Sequence, residues 1–170
     1  MTDDSFRIAM VCACGEHGFI GLTKAHVAFF DVEDAHLIAG TKWRLLDRKT
    51  SRYAGCKNDT MHRILLGVTS GTIDHIDGDG LNNRRSNLRQ CSHSDNMRNR
   101  NVHRKSSGVK YKGVFFNKKG TFVARILVER KLKHLGTFHC AEDAATAYDF
   151  AALHHYGEFA RTNAMMGLLP

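Results

Sequence analysis

The stretch DHIDGDGLNNRRSNLR, Asp74 to Arg89, packs three aspartates, two glycines and three arginines into sixteen residues. Carboxylates in a glycine-broken loop can hold a cation, and arginines beside them can hold a polyanion. A calcium loop of the EF-hand kind needs oxygen ligands at positions 1, 3 and 5, glycine at 6 and glutamate at 12. Counted from Asp77, position 5 is Leu81 and position 12 is Leu88; counted from Asp74, position 3 is Ile76. Both frames fail. A second cluster, Cys12-x-Cys14-x-x-His17, has the residue types of a zinc site. Structural zinc sites usually space their paired cysteines by two or more residues and add a second pair, so thiols without metal are the expected reading here.

Charge supports the polyanion side of the argument. From Arg84 to Lys133 the chain has 15 basic and 2 acidic residues, a net of +13, while the remainder carries 10 basic and 15 acidic residues. One fifty-residue block therefore holds all of the excess positive charge. It is also rich in Asn, Ser and aromatic residues, which favours a nucleic-acid partner over a merely solvated face. The five cysteines, Cys12, Cys14, Cys56, Cys91 and Cys140, are scattered and odd in number with no secretory signal before them. A reduced, cytoplasmic protein is expected. No apolar run approaches the ~18 residues of a membrane span.

The elements that must position these residues fall into three parts. Residues 1–60 alternate apolar runs with polar breaks: FRIAMVCA, AHVAFFDV, KWRLLD and RYAGC read as short strands around one helical piece, VEDAHLIAG. The apolar MHRILLGV leads through TSG into the acidic stretch. A short NLR strand follows, then a helix in SHSDNMRNRN with Ser92 or Ser94 as its N-cap. The polar RKSSG, Arg104 to Gly108, has the composition of a linker. Beyond it, VKYKGVFFN, TFVARILVE and KLKHLGTF predict a three-stranded antiparallel meander. AEDAATAYDFAALHHYG predicts a helix whose Ala144, Ala147, Tyr148, Ala151 and His155 form a stripe against that sheet.

Asp74-His75, Asn87 twelve residues after the histidine, and Asn96 nine further on resemble the HNH nuclease motif in the form found in phage and intron-encoded homing endonucleases. The resemblance covers about residues 61–104 and rests on Asp-His, DGDGLNN, NLR and the SHSDN helix start, in that order. It implies a β-hairpin and helix around one divalent ion. Asp74 and Asn96 would be metal ligands, a set of oxygen donors suited to Mg²⁺ or Mn²⁺. His75 would be the general base and Asn87 would fix the loop and orient His75. Arg84, Arg85, Arg89, Arg98 and Arg100 are then candidate phosphate contacts. His62 and His93 read as structural.

The third part resembles the AP2 DNA-binding domain of plant transcription factors and phage HNH endonucleases, on YKGV, FVARI, HLGTF, AEDAATAYDFAA and GEFARTN. The resemblance implies a sheet in the major groove with a helix on its back. Alternation then turns Val114, Phe116, Phe122, Ala124, Ile126 and Leu135 toward the helix. It turns Gly113, Phe115, Asn117, Arg125 and His134 toward DNA, with Lys112, Lys118, Lys119, Lys131 and Lys133 near the phosphates. Asn117 could read adenine and Phe115 a thymine methyl.

The expected fold class is α+β: an N-terminal β-rich support module (1–60), a small ββα-metal nuclease core (61–105), and a three-stranded antiparallel sheet plus helix (107–165). The expected function is metal-dependent cleavage of double-stranded DNA by a monomer, with no membrane and no small-molecule cofactor. Two alternatives stand beside it, an AP2-type regulator that has lost cleavage and an RNA-directed protein. Intact Asp74, His75, Asn87 and Asn96 argue against the first, and the lack of an RNA module against the second.

Overall fold

The computed structural model describes residues 8–48, 51–101 and 108–170. Residues 104–107 of the expected linker lie outside them. The architecture is mixed α and β, with several small antiparallel sheets and few helices. Two compact units divide the chain, Met1–Ser92 and His93–Pro170.

The first unit opens with a sheet of β1 (Met10–Val11), β2 (His17–Gly21) and β3 (Val27–Asp31), in that order. Alternation along β2 and β3 buries Gly18, Ile20, Ala28 and Phe30 on one face. β2 departs from the sequence expectation. Its HGFIG has a glycine at two of five positions, which hides its strand character.

A short 3₁₀ turn (Val32–Asp34) and α1 (Ala35–Ile38) follow, and then the hairpin of β4 (Arg44–Arg48) and β5 (Ser51–Gly55). MHRILL folds as α2, Met61–Leu66, ended by Gly67 in the left-handed region, whose N–H donates to the carbonyls of Arg63 and Ile64. Met61 and Leu65, one turn apart, are its buried residues. They join Ile20, Phe30, Ile38, Trp43, Ala54 and Leu81 in a single apolar core. Trp43 is fully buried and its indole N–H donates to the Ile38 carbonyl at 3.0 Å. A two-stranded ribbon follows, β6 (Thr72–His75) and β7 (Leu88–Cys91), and the loop between its strands contributes Leu81 to this core.

The second unit begins with α3 (His93–Arg98), directly preceded by Ser92, one of the two expected caps. β8 (Val114–Phe116), β9 (Phe122–Val128) and β10 (Lys131–Phe138) form the expected meander, in the order β10-β9-β8. α4 (Ala141–Tyr156) packs on it and stops before Gly157. Its buried face is Ala144, Ala145, Tyr148, Asp149 and Ala152, turned slightly from the expected stripe, so that Ala147, Ala151 and His155 are only half-buried. The turn is set by the C-terminal tail: the Asp149 carboxylate accepts from the backbone N–H of Asn163 (2.7 Å), the Asn163 side chain (2.8 Å) and the Ala164 N–H (3.0 Å). Asn163 in turn accepts from the Lys112 N–H at 2.6 Å. A buried carboxylate is stable here because its donors come with it.

Phe116 also departs from expectation. It is 57 % exposed and lies beside Phe122 with ring centroids 5.2 Å apart, rather than under α4. Gly113, expected on the outer face, is the point of closest approach to α4. A Cβ there would lie 1.9 Å from the Tyr148 ring, and the backbone has φ of +74°. Gly113→Ala is expected to destabilise the second unit by about 3 kcal/mol or more, combining overpacking with left-handed strain. Urea unfolding measures it, and a loss below about 1 kcal/mol would show that Tyr148 can move aside.

Candidate functional site

The β6–β7 ribbon places the Asp-His pair at the end of a strand. Asp74 stands opposite Arg89, and His75, the last residue of β6, stands opposite Leu88. Both are buried, at 4 % and 5 % exposure. The strand end is what lets adjacent residues serve one place, because within a regular strand they would point to opposite faces. Arg89 donates from Nε (2.9 Å) and Nη2 (2.7 Å) to Oδ2 of Asp74. The pair is a buried, forked ion pair across the two strands.

The loop from Ile76 to Asn87 is closed by its own side chains. Asn87 accepts from the Asp77 N–H at 3.0 Å, and its amide donates to Asp77 Oδ1 (2.9 Å) and to the Asn82 carbonyl (2.7 Å). Asp77 and Asp79 accept further backbone N–H groups of the loop, from Asp79 and Leu81. Gly80 passes so close to β5 that a Cβ would lie 2.2 Å from the Arg52 carbonyl oxygen. The far side of the loop runs along β3: the Phe29 N–H donates to the Leu81 carbonyl and the Asn83 N–H to the Phe29 carbonyl. The acidic residues other than Asp74 thus shape the loop.

Two neighbours of His75 carry no site role in the sequence reading. Asn83, fully buried, places Oδ1 3.4 Å from His75 Nε2 while its amide donates to the Leu81 carbonyl at 3.1 Å. That second bond fixes which end of the amide faces the imidazole. His62, from α2, meets His75 edge to face at 5.1 Å, and Tyr53 of β5 lies 5.5 Å from His62 and 5.8 Å from His75. Asn83 differs in no visible way from the neighbouring Asn82 in the sequence, and His62 lies in an apolar helix thirteen residues upstream. Burial holds His75 below its ordinary pKa, opposed by the Asn83 hydrogen bond and by the carboxylates of Asp77, Asp74 and Asp79. Burial and the adjacent His75 push His62 down to about 4.

His62 Nε2 lies 3.0 Å from the Thr60 hydroxyl, whereas its Nδ1 is buried without a partner. A histidine near 6.5 unfolded and near 4 folded is neutral in both states above pH 6.5, and its contribution is fully present there. Below that, the unfolded chain takes the proton first, so stability falls as pH drops from about 6.5 to about 4. The loss attributable to His62 is up to about 3 kcal/mol. His62→Phe, which keeps the ring and removes the unmet nitrogen, is expected to flatten this acid slope in thermal unfolding. An unchanged slope would move its origin elsewhere.

The remaining candidate contacts have varied surroundings. Arg84 Nε lies 3.2 Å from Asp31, and Arg85 donates twice to the buried Asp34. On α3, Arg98 pairs with Asp95 and its guanidinium lies 5.0 Å over the Tyr156 ring. Arg100 donates to the Met97 sulfur. Asn96, half-buried on α3, belongs to the second unit.

On the outer face of the second sheet, Arg125 and His134 stand opposite one another and are exposed, and Phe115 is 36 % exposed; Lys131 and Lys133 are exposed on the edge strand β10, where they stand opposite Val128 and Ile126, on the α4 side of the sheet. The Arg125 guanidinium lies 5.9 Å over the Phe115 ring. Lys112 is turned inward: its ammonium donates to the Arg98 carbonyl at 2.6 Å, and burial, with Arg161 nearby, lowers its pKa to about 8. Asn117 builds the β8–β9 turn, its carbonyl oxygen accepting from the Lys119 and Thr121 N–H groups and its amide donating to the Thr121 hydroxyl.

Residues 70–98, which span β6, the loop, β7 and α3, match the sequence profile of the HNH endonuclease family. A 48-residue stretch, 28 % of the chain, is 48 % identical to an AP2/ERF and B3 domain-containing transcription factor of Arabidopsis thaliana. The chain spans 14 % of that relative's length. The first match supports an HNH endonuclease domain around the Asp74-His75 ribbon, and with it a nuclease. The second is a likeness, over that stretch alone, to a transcription factor named for its AP2/ERF and B3 domains. Among the described residues no helix is long and apolar enough to cross a membrane.

Proposed function

We propose that the chain is a metal-dependent endonuclease of the HNH type that hydrolyses a phosphodiester bond in duplex DNA, aided by the outer face of the second unit's sheet. The observation that carries this reading is the buried Asp74-His75 pair at the end of β6, held by Arg89 and by the Asn87-tied loop, inside the stretch that matches HNH endonucleases.

The donors available are hard oxygens, which fit Mg²⁺ or Mn²⁺ rather than a thiophilic ion. Asp74 would hold the ion together with Asn96, whose assignment rests on its spacing in the sequence. When bound, the ion supplies polarisation of the scissile phosphate and charge stabilisation at the leaving 3′ oxygen. The protein's own part is proton transfer and order. With the Asn83 carbonyl oxygen facing Nε2, that nitrogen carries the hydrogen, and the lone pair on Nδ1 belongs to the base. His75 takes a proton from water, the water oxygen bonds to phosphorus, and the P–O3′ bond breaks. The products are a 5′ phosphate and a 3′ hydroxyl, the latter protonated from solvent. Asn87 keeps the loop closed behind His75.

On the second unit, Phe115, Arg125 and His134 on the outer face, flanked by Lys131 and Lys133 on the edge strand, form the proposed DNA surface. Lys112, Gly113 and Asn117 contribute through the structure they hold. The resemblance to phage and intron-encoded enzymes makes a homing endonuclease acting as a cytoplasmic monomer the specific form of this reading. A second reading, a DNA-binding regulator without cleavage, draws on one observation: Arg89 occupies an oxygen of Asp74.

Incubation with supercoiled plasmid separates the two. Nicking with Mg²⁺ or Mn²⁺ that stops on EDTA supports the nuclease, and retention of the plasmid on the protein with no nicking under either metal supports the regulator.

A further inference from the structure

The turn between β1 and β2 holds a cluster that the catalytic reading does not use. Cys12, Cys14 and His17 place one ligand atom each so that all lie within 4.8 Å of one another. Backbone bonds fix that arrangement: the Cys12 N–H donates to the His17 carbonyl at 2.9 Å, and the Gly15 N–H to the Cys12 carbonyl at 2.8 Å. Gly15, with φ of +73°, makes the reversal. Cys14 Sγ lies 3.5 Å from His17 Nδ1.

These distances can be compared with what zinc requires. Bond lengths of about 2.3 Å to sulfur and about 2.0–2.1 Å to nitrogen, at tetrahedral angles, give an S···N edge of about 3.6 Å and an S···S edge of about 3.8 Å. The Cys14–His17 edge already has that length, and the longest separation in the cluster needs to shrink by only about 1 Å. Both cysteines are free thiols. His17 is set at the head of β2 opposite Asp31, with its ring edge against Phe29.

We propose that Cys12, Cys14 and His17 bind one thiophilic divalent cation, Zn²⁺, as a clip on the β1–β2 turn. The site is separate in ligand chemistry from the oxygen donors around Asp74. Two thiolates and an imidazole select zinc over magnesium, and neutralise the charge of the ion without a carboxylate. Cys14 is exposed and, its chain neighbours apart, no atom of the described residues lies within 4 Å of where a Cβ of Gly15 would stand, which leaves the fourth position to water or an added ligand. The spacing of one residue between the cysteines, unusual for a zinc knuckle, is accommodated because the histidine comes from the same turn.

The test uses the full chain, reduced and stripped of metal, titrated with Co²⁺ as a spectroscopic substitute. A thiolate-to-cobalt charge-transfer band saturating at one equivalent and displaced by Zn²⁺ is expected. Cys12→Ser and Cys14→Ser should each abolish it, and His17→Ala should weaken binding by at least about tenfold. A second measurement needs no variant: zinc should protect Cys12 and Cys14 from alkylation, read by peptide mass spectrometry, while the exposed Cys140 stays reactive. Absence of the band, its persistence in the Cys12→Ser/Cys14→Ser variant, or equal alkylation of Cys14 with and without zinc would overturn the proposal.

Discussion

Replacing His75 by Ala is expected to slow the nicking of supercoiled DNA by between about 10² and 10⁴-fold, the range that a positioned general base contributes. The expectation follows from where the imidazole sits. It is 5 % exposed, has Asn83 at one nitrogen, and packs against His62 and Tyr53. Burial lowers its pKa, so the neutral base persists to lower pH than an exposed histidine would allow. The acid limb of the nicking rate should therefore fall below pH ~6.5, with the rate flat above it until other groups intervene. Because alanine leaves a cavity in the ring cluster, His75→Gln serves as the companion variant of similar bulk. Both should keep DNA affinity and lose rate. If either retained nicking within about tenfold of the parent, His75 would not be the base. Asp74 requires more care in choosing the substitution. Asp74→Ala removes the carboxylate that accepts two hydrogen bonds from the Arg89 guanidinium, only 12 % exposed, and costs on the order of 3–5 kcal/mol of stability. Asp74→Asn keeps the shape and an acceptor oxygen, so a loss of rate in that variant reports on the charge at the site.

The positions where sequence and structure agree and disagree have a common physical origin. The meander and α4 of the second unit are legible because their signals are local: alternation in FVARILV, a polar turn, an alanine-rich helix and a terminal glycine. The ribbon of β6 and β7 is legible because Asp-His, the glycine-rich loop and NLR follow in a fixed order. Long-range partners are not written that way. Arg84 and Arg85 read as phosphate-seeking cations in a basic block, yet their carboxylates, Asp31 and Asp34, lie more than fifty residues upstream. Asn117 reads as a base contact in the sequence and is a turn residue in the fold, because an amide two residues before an N–H closes the turn on itself. The inward turn of Lys112 depends on a carbonyl of α3, fourteen residues away. His62 and Asn83 escape the sequence for the same reason: what selects them is the packing of α2 and the β3 edge around His75, and one chain gives no pattern for that.

Substituting Arg125, Lys131 and Lys133 together by Gln is expected to weaken DNA binding mainly by changing its salt dependence. Each phosphate neutralised by a cation contributes about 0.9 to the slope of log affinity against log salt on duplex DNA. With those three charges gone, the magnitude of the slope should fall by between about two and three. Between ~50 and ~200 mM salt this is a difference of roughly fortyfold, so the defect of the variant should be that much larger at the lower concentration. The three side chains are exposed, Arg125 on the outer face of β9 and Lys131 and Lys133 on the edge strand β10, and the buried Val114, Ala124 and Ile126 are untouched. Thermal unfolding should therefore change little. Lys112→Gln provides the contrast, since its ammonium is bonded to the Arg98 carbonyl. It should lower the stability of the second unit and leave the slope alone. Equal slopes for the triple variant and the parent would remove Arg125 and the β10 edge from the DNA interface. A changed slope in Lys112→Gln with the triple variant unchanged would place the contact at Lys112, beside the end of α3. The measurement thus decides between two parts of one small unit, using only the counting of displaced ions.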